Sequence, residues 1–183
     1  MAGTFDFRRK QGPWSKSGPT IRLILGSTLI AAVGLFGLTR NDIFGLSFAW
    51  PHAALWGAVG WGRVGLSIRP MLVLIVFGVM QDVIFHAPFG CFEVVNLLTY
   101  AGSTAIASQF DVMSEPLIAI TSSVLLFAGA FLLLWLMAST LEDHAVRILP
   151  LIAAMLTTGL LYALIHRAFD LGRRPGETPG QAA

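Results

Sequence analysis

Apolar residues run along this chain in long blocks separated by short polar links. The blocks cover Ile21–Leu38, Ile43–Trp61, Pro70–Phe85, Cys91–Ser108, Pro116–Ser139 and Val146–His166. Each approaches the roughly 20 residues that a helix needs to cross a hydrocarbon core about 30 Å thick. The pattern predicts an all-α integral membrane protein, a bundle of about six transmembrane helices over residues 21–166. Residues 1–20 hold Arg8, Arg9, Lys10 and Lys16 among Gly, Pro and Ser and are expected to form a mobile basic tail, with a disordered tail over 167–183. The run from Ile21 is longer than the apolar core of a signal peptide and has no small-residue cleavage pattern after it, so it reads as a retained first span.

Two blocks have internal punctuation. Pro51 stands in the middle of the second, which is therefore either kinked there or begins at Pro51 with Phe44–Trp50 lying along the interface. Trp50, Trp56 and Trp61 are candidates for interfacial aromatic belts. The third block contains Asp82; the one other acid within a block, Glu93, lies at the very start of the fourth. The apolar side chains of the third block favour insertion by roughly 3–6 kcal/mol together, more than the about 2.5–3.5 kcal/mol that an Asp costs at a helix centre.

Composition agrees with the pattern. Hydrophobic residues make up 55% and charged residues 12% of the 183 positions, against about 25% charged in soluble domains, and mean hydropathy is +0.73. The sequence pI of about 9.1 does not signal nucleic-acid binding, because the formal charge is only +2 and the basic residues sit at the ends of apolar blocks. With six spans and an inner N-terminus, Arg8, Arg9, Lys10, Lys16, Arg22, Arg63, Arg69, Arg167, Arg173 and Arg174 fall inside. Only Arg40 and Arg147 of the 12 basic residues fall outside. That asymmetry satisfies the positive-inside rule and places both termini in the cytoplasm.

The candidate chemistry centres on residues 76–96. Gly78 and Asp82 are four apart and share one helix face, where the glycine admits a neighbouring backbone beside the carboxyl group. Pro88 and Gly90 supply the fixed and the permissive φ of a tight reversal, and Glu93 falls in the first turn of the next helix. Asp82 reads as a packing acid hydrogen-bonded to a neighbour, with Asn96 the first candidate and His52 near the same level. An amide at position 82 would then be tolerated. A partner-facing role and ligand or ion binding are the alternatives.

Catalytic constellations are missing from the sequence. An intramembrane aspartyl protease needs a second carboxyl group, and a rhomboid-like hydrolase needs a glycine-serine motif that does not occur. The four histidines have no ligand spacing, and Cys91 is the single cysteine, so neither a metal centre, a cofactor nor a disulfide is expected.

The order Pro51, Arg63 and Arg69, Gly78-x-x-x-Asp82, Pro88 and Gly90 resembles the central signature of the bacterial rod shape-determining MreD family. The similarity covers about Phe48–Ala105, and the flanking helices agree in number and length. The resemblance implies a non-enzymatic scaffold of the cell inner membrane, part of the elongation complex that guides cell shape and lateral peptidoglycan synthesis. It implies an MreC-like partner and, through it, the MreB cytoskeleton, RodA and a class B penicillin-binding transpeptidase. The alternative is the substrate-binding membrane subunit of an energy-coupling factor transporter, which would need polar groups such as Asp82, Asn96, His52, Thr99 and Tyr100 to converge on a pocket.

Overall fold

The structure, a computed structural model, describes residues 18–38, 42–43, 46–47, 50–110, 116–141 and 148–171. Most of the N-terminal tail, Arg40, Arg147 and the chain beyond residue 171 lie outside the described residues, as do most of the links read at 109–115 and 140–145. Within the described segments the architecture is helical. It comprises α1 (Pro19–Leu38), α2 (Ala53–Gly62), α3 (Ile68–Phe85), α4 (Cys91–Gln109), α5 (Pro116–Leu141) and α6 (Ile148–Ile165), closed by a 3-10 turn at His166–Phe169. Two short antiparallel strands, β1 (Asp42–Ile43) and β2 (Leu46–Ser47), pair Asp42 with Ser47 and Ile43 with Leu46 between α1 and α2.

Four helical segments among the described residues are long and apolar enough to cross a membrane: Pro19–Gly37, Ile68–Phe85, Leu117–Thr140 and Ile148–Phe169. Their outward faces carry exposed Leu72, Val76 and Val83 on α3, Val124 and Leu132 on α5, and Leu156 and Leu164 on α6. Water would not tolerate so much uncovered apolar surface; lipid does. The chain is a multi-pass membrane protein.

The second apolar block departs from the expected span. Its helix holds 10 residues, about 15 Å at 1.5 Å per residue, and begins at Ala53, after Pro51. Every residue of α2 is buried, wrapped by α1, α3, α4, α6 and the 3-10 turn. Trp56 and Trp61 are consequently core residues and not interfacial belts: both pack on Phe169, and the Trp56 indole N–H donates to the Thr158 carbonyl at 2.9 Å. Trp50 turns back onto α1, donating to the Val33 carbonyl at 2.8 Å. A run enclosed by protein and a run enclosed by lipid have the same composition, and that explains the difference.

At the other end of the sequence, order persists past His166 into the segment read as a tail. Phe169 is fully buried, and the Asp170 carbonyl accepts a hydrogen bond from Arg22 at 3.1 Å.

The helix at the centre is α4, which packs on α2, α3 and α5. Its buried face is Cys91, Phe92, Val95, Asn96, Thr99, Tyr100 and Ser103, a three-and-four spacing that keeps one stripe turned inward. Much of that stripe is polar. The Ser103 hydroxyl donates to the Val59 carbonyl at 2.7 Å. The Tyr100 hydroxyl accepts from the Ser67 N–H at 2.8 Å and donates to the Gly65 carbonyl at 3.0 Å, which fastens the α2–α3 link.

Contacts also fix the run of each helix. Arg69 reaches Thr20, Arg22 reaches Asp170, and Arg63 reaches Ala119, so Arg22, Arg63, Arg69 and Arg167, the basic residues within the described segments, gather at one end of the bundle. From this basic end α1, α3 and α5 lead away, and α2, α4 and α6 return.

The α2–α4 contact depends on Gly62, where an added Cβ would lie 2.6 Å from the Ser103 Cβ and 2.8 Å from the Tyr100 carbonyl oxygen. Gly62→Val is expected to cost about 1–3 kcal/mol by overpacking, read as a lowered melting temperature in detergent. Gly34→Val, where nothing lies within 4 Å, is the matched control and should melt like the parent.

Candidate functional site

The turn between α3 and α4 is built around Asp82. Only Pro70, Leu74, Gly78 and Asp82 of α3 are buried, a strict spacing of four that gives the helix one narrow inward stripe. At Gly78 that stripe meets the start of α4: a Cβ there would stand 2.5 Å from the Glu93 Cα and 2.7 Å from its nitrogen. The glycine therefore lets α4 begin directly against α3, as its spacing from Asp82 predicted.

One turn further on, the Asp82 side chain caps α4. The Gly90 N–H donates to Asp82 Oδ2 at 2.7 Å and the Phe92 N–H to Oδ1 at 2.8 Å. The N-cap residue of α4 is Gly90, at φ 89°, ψ −4°, so it has no side chain with which to satisfy the first amides of the helix. Asp82 supplies that acceptor from the preceding helix and places a carboxyl group at the positive end of the α4 dipole. Its own backbone carbonyl accepts from His86, which is left-handed at φ 54°, and from Ala87 at 3.0 Å. The Pro88 carbonyl accepts from Cys91 at 3.1 Å to close the reversal. A single residue thus terminates one helix and starts the next.

Asn96 is not the partner of Asp82. Its amide donates to Gln81 Oε1 at 3.1 Å, forming a second bridge between α3 and α4 beside the first. The expectation failed because a side chain near the tip of a hairpin has backbone donors closer to it than any residue a turn further along. His52 does not join either pair. Its ring lies among Phe85, Phe92 and Phe131 at centroid distances of 5.7, 5.4 and 5.3 Å, its backbone N–H donates to Thr158 Oγ1 at 3.1 Å, and its buried Nδ1 has no hydrogen-bond partner. Pro51, buried just before the N-cap residue His52, stands at the entry to α2.

Thr99 and Tyr100 are likewise committed, the first to the Val95 carbonyl at 2.7 Å and the second to the α2–α3 link. Of the polar side chains that sequence reading placed near one level, Asp82, Asn96, Thr99 and Tyr100 all have internal partners. Gln81 was the missed member; its place one residue before Asp82 was the available signal. Among the described residues no group of three or more His, Cys, Asp or Glu side chains is arranged to hold a metal ion.

No family model, curated protein or solved structure matches this chain.

Both Asp82 oxygens accept from backbone N–H groups, so an amide at this position keeps one acceptor and turns a donor toward the other. Asp82→Asn should therefore be partly destabilised, by roughly 1–3 kcal/mol for the one amide left unpaired, and Asp82→Leu more, because two are left unpaired. Thermal melting in one detergent should rank parent, Asn and Leu in that order. A Leu variant as stable as the parent would contradict the capping role, and an Asn variant with parental stability would restore the tolerance expected from sequence.

Proposed function

We propose that this chain is a non-enzymatic scaffold of the MreD type, resident in the cell inner membrane and partnered with an MreC-like protein. Through that partner it acts with the MreB cytoskeleton, RodA and a class B penicillin-binding transpeptidase in cell elongation. The observation that carries the reading is the use of the signature residues. Gly78, Asp82, Pro88 and Gly90 are all engaged in closing the α3–α4 hairpin, as expected where a motif preserves a shape for a partner to bind. A transport subunit would instead leave its polar groups turned toward a substrate. Here Asp82, Thr99 and Tyr100 bond to backbone groups, and Asn96 bonds to Gln81.

In this reading the chain crosses the membrane six times with both termini cytoplasmic, and α2 is a short crossing sheltered by its neighbours. The gathering of Arg22, Arg63, Arg69 and Arg167 at one end of the bundle supports that orientation, since basic residues favour the cytoplasmic face. The surface offered to a partner is lipid-facing or lies at the opposite end, where Phe89 at the hairpin tip is 81% exposed.

Depletion in a rod-shaped host tests the proposal. Cells should round, and the full-length protein should copurify with an MreC-like protein in mild detergent. Unchanged rods after complete loss, with a defect in vitamin uptake, would assign the chain to the energy-coupling factor class instead.

A further inference from the structure

At the basic end, α5 and α6 part around a cavity of about 920 Å³. Its walls are the lipid-facing side chains Ile120 and Val124 on α5 and Leu156 and Leu160 on α6, each more than half exposed. Gly159 keeps the space open, since a Cβ there would find only Phe127, at 4.0 Å. The polar rim is different in character: Arg63, Tyr162, His166 and Arg167 line it, together with Asp170.

Arg63 is held in place at this rim. Its guanidinium donates to the Ala119 carbonyl at 3.0 Å and to the Ser123 hydroxyl at 2.6 Å, and stands 5.8 Å from the centre of the Tyr162 ring. Reaching from the end of α2, it bridges α5 and α6 where they separate. The Tyr162 hydroxyl is buried and has no hydrogen-bond partner.

We propose that this cleft is a binding site for an anionic phospholipid of the bilayer. An acyl chain lies between α5 and α6 against the apolar walls, and the phosphate sits at the rim beside Arg63 and Arg167. The walls exclude a soluble polar ligand, because the side chains that form them are those the helices turn toward lipid. The two arginines outweigh the one carboxyl group of Asp170, so the rim selects a negative head group, as basic pockets between membrane helices do. The inference rests on membrane embedding alone and not on the MreC-like partner, so either can fail without the other.

Native mass spectrometry of the full-length protein in mild detergent, titrated with phosphatidylglycerol or with phosphatidylcholine of the same chains, reads the site directly. One phosphatidylglycerol should be retained, with a preference of roughly fivefold or more over phosphatidylcholine, the scale expected for a single basic residue acting on an anionic head group. Gly159→Leu fills the cleft and should abolish the retained lipid while elution and melting stay parental. Arg167→Gln should leave a lipid bound and erase the preference, which keeps the proposal testable should the Leu variant fold poorly. Equal retention of both lipids by the parent, or an undiminished preference in Arg167→Gln, would overturn it. Displacement of the lipid by millimolar inorganic phosphate would overturn it too, in favour of a site for a free anion.

Discussion

The bundle depends on a carboxyl group that accepts two backbone N–H bonds where water is scarce. Without Asp82, the Gly90 and Phe92 amides at the start of α4 would be left unpaired at a helix end that has no capping side chain of its own. An unpaired amide costs more in such surroundings than in water, because no solvent replaces the lost partner. The consequence extends beyond the turn. The helix that Asp82 begins is α4, and α2, α3 and α5 all pack against it. The direction in which α4 sets out, between the Gly78 backbone on one side and the closed Pro88–Cys91 turn on the other, therefore positions most of the core.

Polar groups elsewhere in the interior do comparable work at smaller scale. Ser103 ties α4 to α2, Tyr100 ties it to the link before α3, and Asn96 meets Gln81 across the hairpin. Helices in lipid gain little from burying apolar surface against one another, so close approach at small residues and hydrogen bonds between helices decide which faces meet. On α4 the contrast usual in a soluble bundle is weakened: the stripe that faces its neighbours carries three hydroxyls and one amide among apolar residues, while Val94 and Leu98 face outward. At the basic end the same economy fails between α5 and α6, where Arg63 spans a gap that no side chain fills.

Helix positions were legible in the sequence because long apolar blocks leave few other structures open to a chain in lipid. The pairing of Gly78 with the backbone of the next helix was legible from a spacing of four, and the positive φ of Gly90 from its place after Pro88. The partner of Asp82 was not, since every residue but proline has an N–H and the donors leave no mark in the sequence. Nor was the burial of Trp56 and Trp61, because hydropathy does not distinguish a helix surrounded by protein from one surrounded by lipid. Phe169 was hidden by its setting: one aromatic residue just before a polar, proline-bearing stretch gives no period from which an ordered turn could be read.

Amide hydrogen exchange at Gly90 and Phe92, resolved by residue in the detergent-solubilised protein, tests the Asp82 cap most directly. Both amides should exchange slowly in the parent and at least about tenfold faster in Asp82→Leu, while amides in the middle of α4 keep their protection. Equal exchange at the two amides in both proteins would mean that Asp82 does not hold the start of α4 and that the hairpin is closed by packing at Gly78 alone.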